Sequence, residues 1–278
     1  MDFEPSEAQA AVAATARAFA RERVAPVAGA NDREGRFPAD LVRGLAELGL
    51  LAVALPAAHG GSEAEAVAYA LALTEIAAAD CALAVTMGVT NMVGEVIHRF
   101  GTEAQRARHL PRLASGEYLA GAFGLSEPGS GSDAGALTTR AVRDGDGWVL
   151  DGEKAWISGG DVAGVIVVWA RTGEAGGKGV TAFLVEPGTP GFAVGRHEEK
   201  LGLRASHTVS LSFEGCRVPD AARLGAPGQG LHLALAALDG GRIGIAAQAT
   251  GTIRAALEAS TRYAQERQAF GRPIAGHQ

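Results

Sequence analysis

Forty residues in the middle of the chain, 121–160, constrain its fold and function most. Within them, residues 125–133 contain three serines, two glycines, a glutamate and an aspartate, a composition that cannot build a core. Glycine lets backbone N–H groups come close to a ligand, and hydroxyl groups rotate to suit it. After a turn-rich interval, residues 156–160 place a tryptophan beside a serine and two glycines. Together the two segments indicate a ligand-binding centre.

The spacing of residues 129–134, Gly-Ser-Gly-Ser-Asp-Ala, also fits a dinucleotide-binding fingerprint. That fingerprint requires a strand before it and a helix directly after it. The residues that follow instead form two β-prone runs, 137–142 and 148–150, on either side of an Asp-Gly-Asp-Gly cluster. This pattern predicts a β-hairpin, so the context argues against a Rossmann site.

The composition places the chain among ordinary globular proteins, since 47% of its 278 residues are hydrophobic and 20% are charged. A net charge of −6 without a basic stripe argues against nucleic-acid binding. We see no apolar run of membrane length and no secretory signal, so we expect no membrane span and a cytoplasmic protein. Cys81 and Cys216 are expected to be reduced, and no histidine or cysteine pair has metal-ligand spacing, so we expect no metal site.

The hydrophobic period changes twice along the chain. It is helical to about residue 120, shortens to strand-length runs between Gly- and Pro-rich turns, and becomes helical again from Gly228. We therefore predict an α+β multidomain protein. Its parts are an N-terminal helical domain (1–120), a middle β-barrel or sandwich domain (121–222) and the start of a C-terminal helical bundle (223–278).

Local signals set several helix boundaries in this prediction. Pro26 and Pro111 are expected to end helices, because proline lacks the N–H that a helix interior needs. Three capping-box patterns predict helix N-termini: Ser6 with Gln9, Ser62 with Glu65, and Thr102 with Gln105.

The motifs closely resemble the flavin-binding centre of the acyl-CoA dehydrogenase family. Residues 123–133 match the family pattern aromatic-x-[LV]-[ST]-E-P-x-x-G-S-D. Residues 156–160 match the pattern W-I-[ST]-N-G that follows about thirty residues later, with Gly159 replacing the usual Asn. Residues 266–278 match a third signature, E-R-x-x-F-G-x-x-I-x-x-x-Q.

The resemblance implies a flavoprotein oxidoreductase with FAD as cofactor and an acyl-CoA thioester as substrate, acting in fatty acid β-oxidation. A carboxylate base would remove the α proton while the β hydrogen leaves as hydride to flavin N5. Electrons would pass to an electron-transfer flavoprotein. Family members also lead us to expect a homo-oligomer, either a tetramer or a dimer.

The resemblance also assigns residues. Ser132 is expected on the acyl-CoA path, and Asp239 and Arg242 are expected to contact substrate. The alternative for Asp239 and Arg242 is an ordinary ion pair within one helix. Arg267 is expected to meet the FAD pyrophosphate of a neighbouring subunit, because its planar fork suits phosphate oxygens. The expected FAD-binding residues are Phe123, Leu125, Ser126, Ser132, Trp156, Ile157, Ser158, Arg267, Phe270, His277 and Gln278.

No catalytic base is assigned. Some family members carry a glutamate just before the arginine that Arg242 matches, where this chain has Gly241. Others carry it in a later Y-E-G-T motif, which would lie beyond Gln278, so we expect a C-terminally truncated family member or a piece of a split protein. Two alternatives stay open. One is a non-catalytic flavin- or CoA-binding subunit of a split complex, and the other is a related flavin oxidase or monooxygenase.

Overall fold

The computed structural model describes residues 4–174 and 176–277. Helices occupy both ends of this range and a sheet lies between them, which confirms the predicted fold class. The α-helices of the described residues are α1 (Glu7–Phe19), α2 (Ala25–Glu34), α3 (Ala39–Glu47), α4 (Ala66–Ala79), α5 (Cys81–Phe100), α6 (Glu103–Ala114) and α7 (Gly230–Glu266).

Two of the three predicted capping boxes are present. Ser6 caps α1 and Thr102 caps α6, each through the reciprocal bonds that define the motif. The third prediction is wrong, because α4 starts after Glu65 without a side-chain cap. The Ser62 hydroxyl instead donates to the Gly49 carbonyl at 3.1 Å, and so holds the preceding loop.

Neither proline ends a helix. Pro26 lies in the first turn of α2, where a missing N–H costs nothing, and a π-helical segment (Ala20–Val24) joins α1 directly to α2. Pro111 lies inside α6. Its neighbours Leu110 and Leu113 are fully buried, and we attribute the unbroken helix to their packing.

Glu75 of α4 is a charged residue inside the helical core. Its carboxylate accepts hydrogen bonds from Arg17 of α1 at 3.0 Å and from Arg254 of α7 at 2.7 and 2.8 Å. Burial alone would raise the pKa of Glu75, but the two guanidinium groups hold it at about 2. One carboxylate thereby joins three helices.

The middle of the chain forms one eight-stranded sheet. Its strands are β1 (Ala120–Gly124), β2 (Arg140–Asp144), β3 (Gly147–Ser158), β4 (Ala163–Arg171), β5 (Val180–Val185), β6 (Phe192–His197), β7 (Thr208–Pro219) and β8 (Arg223–Leu224). The strand order is β6-β7-β3-β2-β4-β5-β8, and β1 pairs with β4 in parallel. The predicted hairpin is the antiparallel pair β2–β3.

Strands β4 and β5 are buried on both faces, which explains why they read as continuous apolar runs. On one face, Val167 and Trp169 pack with residues of α5, α6 and α7. On the other face, Ile166 and Val168 pack with β3 and β7. The sheet is therefore fixed to the helices through β4 and β5.

Helix α7 runs through 37 residues without interruption. It packs against α4 at Gly251, where an added Cβ would lie 2.2 Å from the Thr74 carbonyl oxygen. Its opposite face exposes Ile245, Ile253 and Leu257, each more than 60% accessible.

Helix α5 has the length and composition of a membrane span, a feature that the sequence analysis did not anticipate. Within the fold, 61% of its apolar window is buried. A core helix of a globular protein passes the same test, so α5 is weak evidence for a membrane segment.

Cys216 is buried and Cys81 is half-buried, and neither forms a disulfide with a described residue. Burial raises the pKa of Cys216 to about 11.

Candidate functional site

The two central motif segments lie side by side in the fold. The first follows β1 and the second closes β3. The Ala155 N–H donates to the Ser126 carbonyl at 3.0 Å, which fixes their relative position. The β2–β3 hairpin between the two segments therefore brings them into direct contact, although they lie about thirty residues apart in sequence.

A buried ion pair holds the first segment in place. Lys154 of β3 is fully buried and its Nζ lies 2.8 Å from Glu127 Oε1 and 3.3 Å from the Leu125 carbonyl oxygen. The Glu127 carboxylate also accepts bonds from the backbone N–H groups of Thr138 and Thr139 and from the Thr138 hydroxyl. No oxygen of this carboxylate lacks a donor.

The charges of this pair are set by its surroundings. Burial opposes ionisation of Glu127, but Lys154 and the threonine donors hold its pKa at about 2. Burial lowers the pKa of Lys154 to about 8, and the bond to Glu127 limits that fall. Both groups are therefore charged at neutral pH.

Trp156 has an unusual backbone and an unusual exposure. Its φ is +58°, a left-handed value that is costly for any residue with a Cβ. The pairing of β3 with β7 is irregular between Lys154 and Ile157, and this bulge turns the indole outward. Trp156 is 58% exposed, so it is not a core residue. Strain combined with an exposed aromatic ring is typical of a binding surface.

Three hydroxyl groups of the motifs are free to meet a ligand. The side chains of Ser126, Ser132 and Ser158 form no hydrogen bond with any residue that the structure describes. Ser130 differs, because its hydroxyl donates to the Asp133 carbonyl at 2.6 Å and helps to close the turn. Ser126 and Ser158 are half-buried and Ser132 is exposed.

The glycine-rich turn is open on its outer side. A Cβ added at Gly129 or Gly131 would have no neighbour within 4 Å, so these positions leave the backbone accessible. Arg171 at the end of β4 anchors the next part of the loop, donating to the Gly135 carbonyl at 2.6 Å and the Leu137 carbonyl at 3.1 Å.

The side chains of the remaining residues in the two central motifs pack inside the fold. The Phe123 and Trp169 rings have their centroids 4.2 Å apart and are tilted by 45°, and Leu125 is buried in the same cluster. Ile157 is 2% exposed and faces the core between the strands, so only its backbone is available to a ligand.

Asp239 and Arg242 form an exposed ion pair of 2.6 Å within α7, the alternative raised from the sequence. Beside them, a solvent-open cleft lies between α4, α5 and α7. Met92, Glu95, Gly240 and Gly241 are among its lining residues. An added Cβ at Gly241 would lie 3.0 Å from the Met92 sulfur, so this glycine widens the cleft.

The C-terminal signature lies on a short hairpin, β9 (Gln268–Ala269) and β10 (Arg272–Pro273), at the end of α7. Phe270 is 98% exposed, and its ring lies 5.9 Å from that of His277. Arg267 is exposed as well. No hydrogen bond joins the described hairpin residues to the central motifs. The expected role of Gln278 lies outside the described residues.

Sequence reasoning missed Lys154, Arg171 and the two threonines that bind Glu127. A signal for Lys154 was available, because it follows the inward alternation of Trp148 and Leu150 along β3. Arg171 gave no such signal, since its partners are backbone carbonyls distant in sequence.

Comparison with protein families accounts for most of the chain. The N-terminal domain of acyl-CoA dehydrogenase matches residues 6–117, the middle domain matches 122–216 and the C-terminal domain matches 228–278. An acyl-CoA dehydrogenase of Bacillus subtilis (strain 168) is 44% identical over 264 residues, which are 94% of this chain and 69% of that protein.

Solved structures agree with this comparison. A chain from work on the electron transferring flavoprotein of Acidaminococcus fermentans superposes with a TM-score of 0.97 at 38% identity, over 99% of this chain and 73% of that one. Butyryl-CoA dehydrogenase from Megasphaera elsdenii gives a TM-score of 0.96 at 37% identity, over 100% of this chain and 74% of that one. The protein described here therefore belongs to the acyl-CoA dehydrogenase family, a family of FAD flavoprotein oxidoreductases.

Proposed function

We propose that this chain holds FAD and an acyl-CoA thioester for α,β-dehydrogenation, as the larger part of an FAD-dependent acyl-CoA dehydrogenase. The observation that carries the proposal is the outward, strained Trp156 beside the contact between Ala155 and Ser126. A chain retains a costly conformation of this kind where surrounding structure and a ligand make use of it.

The residues fit a flavin ring. The proposed cradle consists of the Trp156 indole, the free hydroxyls of Ser126 and Ser158, and the backbone of Ile157. When bound, FAD supplies hydride acceptance at N5. Ser126 and Ser158 would donate hydrogen bonds to the ring and stabilise its negative charge, and Trp156 would exclude water from one face. Phe123 and Leu125 support this cradle from below through their packing.

Ser132 is proposed to line the acyl-CoA path, where its exposed hydroxyl can bind polar atoms of the thioester chain. The apolar cleft between α4, α5 and α7 is proposed to take the acyl group. Its mainly apolar lining supports an acyl chain. Asp239 and Arg242 would meet substrate at its rim if their mutual ion pair opens, which an exposed pair does at little cost.

The base for α-proton removal is proposed to come from the part of the family fold that these 278 residues do not include. Gly241 offers no carboxylate at the α7 position that some family members use. The chain matches 69% of the length of the Bacillus subtilis relative, which leaves family sequence outside the match.

Arg267, Phe270 and His277 are proposed to contact the FAD of a neighbouring subunit. The exposure of Arg267 and Phe270 and the exposed apolar face of α7 support assembly into a homo-oligomer. The structural match to a chain studied with an electron transferring flavoprotein supports such a protein as electron acceptor.

An anaerobic titration of the FAD-loaded chain with butyryl-CoA tests the proposal. We expect butyryl-CoA to bind, to shift the flavin absorption bands and to leave them oxidised, since the base is proposed to lie outside these 278 residues. Absence of any spectral change would contradict the substrate site. Complete bleaching would contradict the placement of the base. If air is then admitted to the bleached protein, rapid oxygen consumption would favour an oxidase.

A further inference from the structure

Three side chains that the flavin motifs do not use converge behind the second motif. They are Asp161 in the turn after β3, His197 at the end of β6 and His207 just before β7. Each offers one potential ligand atom, and the three atoms lie within 4.8 Å of one another. His207 Nδ1 is 2.6 Å and His197 Nε2 is 3.4 Å from the same oxygen, Oδ2 of Asp161.

The proton positions on His207 follow from its partners. Its Nε2 lies 3.1 Å from the Gly35 carbonyl oxygen, which can only accept, so Nε2 carries a hydrogen. In the neutral ring, Nδ1 then directs a lone pair at the Asp161 carboxylate. Two electron-rich atoms at 2.6 Å require a cation between them, either a proton or a metal ion.

A proton satisfies the His207–Asp161 contact but leaves a second imidazole facing the same oxygen. His197 and His207 have their ring centroids 4.6 Å apart, so His197 belongs to the cluster and is not a distant surface group. The other oxygen of Asp161, Oδ1, is buried without a hydrogen-bond partner among the described residues. A metal ion explains the convergence of both imidazoles on Oδ2, because it binds several ligand atoms at once.

From this geometry we propose that Asp161, His197 and His207 bind a divalent transition-metal ion such as Zn²⁺. Two imidazoles and one carboxylate form a donor set that suits this class of ion. A metal-bound histidine is commonly oriented by a hydrogen bond from its other ring nitrogen. In His207, Nδ1 would bind the metal and Nε2–H donates to the Gly35 carbonyl.

Two of the three ligand spacings can be compared with those of a zinc site. Tetrahedral zinc with bonds of 2.0–2.2 Å spaces its ligand atoms about 3.3 Å apart. The 3.4 Å between His197 and Asp161 already fits, and the 2.6 Å contact of His207 must lengthen by about 0.7 Å. His197 is 54% exposed and lies on a solvent-open cleft, which gives the ion an entry path and a place for water as fourth ligand.

The nearby cation Lys200 does not occupy this position. Its Nζ donates to the carbonyls of Leu203 and Ser206 and to the Thr208 hydroxyl, and so holds its own loop. The His207 carbonyl accepts a hydrogen bond from the Gly159 N–H at 2.9 Å. The proposed ion would therefore clamp the loop before β7 to the turn that follows Trp156 and Ser158.

The test uses the tag-free 278-residue chain, stripped with EDTA and dialysed. Titration with Co²⁺, followed by its visible absorption bands, should give one equivalent per chain, and saturating Zn²⁺ should raise the melting temperature. His197→Gln should weaken Co²⁺ binding at least tenfold, because it removes one metal ligand. The position is partly exposed, so the substitution does not disturb the core. Asp161→Asn should weaken Co²⁺ binding at least as much.

His232→Gln is the matched control, since His232 is exposed on α7 away from the cluster. It should bind Co²⁺ as the unmodified chain does. The proposal is overturned if the unmodified chain binds no Co²⁺, or if His197→Gln and Asp161→Asn bind it as tightly as the control. Circular dichroism of each variant establishes that a loss of binding is not a loss of fold.

Discussion

Replacing Lys154 by methionine should destabilise the protein strongly. Lys154 is fully buried and Glu127 is 3% exposed, so the substitution leaves a carboxylate in the interior without its cation. Removing one partner of a buried ion pair costs about 3–5 kcal/mol. Thr138 and Thr139 still donate three hydrogen bonds to Glu127, and we therefore expect about 3 kcal/mol at neutral pH.

The loss should depend on pH. The pKa of Glu127 in the folded chain, about 2, lies below the ordinary value of 4.5. Its ionised form therefore contributes stability that is full above about pH 4.5 and disappears as the pH falls towards 2. Without Lys154 this contribution is missing, so the difference between the two proteins should be largest at pH 7 and smaller at about pH 4.

Urea denaturation followed by tryptophan fluorescence measures the effect. Lys178→Met is the matched control, because Lys178 is exposed, and it should change the free energy of unfolding by less than about 0.5 kcal/mol. The double variant Lys154→Met/Glu127→Gln should be more stable than Lys154→Met alone, since it removes the unpaired charge. Equal midpoints for Lys154→Met and Lys178→Met would refute the reasoning.

Three further substitutions test other parts of the account. Trp156→Gly should stabilise the flavin-free chain by about 1 kcal/mol, because glycine adopts a positive φ without strain; a lower urea midpoint would contradict this. Glu75→Gln should cost about 2 kcal/mol at pH 7, with exposed Glu47→Gln neutral. That loss should shrink below about pH 4.5, because the folded pKa of about 2 lies below 4.5 and the carboxylate's contribution fades as the pH falls; a pH-independent loss would count against it. Gly251→Ala should lower the melting temperature, because its Cβ would lie 2.2 Å from a carbonyl oxygen of α4, whereas Gly240→Ala, with its nearest neighbour at 4.0 Å, should raise it.

The fold class was readable from the sequence because each segment carries its own period. Strand-length runs, the β2–β3 hairpin and the return to a helical period in α7 all follow from local pattern. Ser62 shows where local signals fail. A capping-box spacing was present, but a tertiary contact with Gly49 uses the hydroxyl instead.

In the candidate site, too, some features follow from local sequence and others depend on tertiary contacts. Motif spacing located Ser126, Trp156 and Ser158, but it could not give the outward turn of the indole, which depends on a bulge between β3 and β7. The proposed metal ligands do not form a local sequence motif. Asp161 and His197 lie 36 positions apart and are brought together by strand pairing. Clusters assembled by a sheet leave no signature in a single sequence.

Equilibrium binding of FAD to the purified chain tests the central claim most directly. The account predicts one FAD per chain, with affinity reduced at least tenfold by Trp156→Ala and unchanged in Lys178→Met. Failure of the unmodified chain to bind FAD, or equal affinity in Trp156→Ala, would contradict the assignment of residues 123–133 and 156–160 as the flavin site.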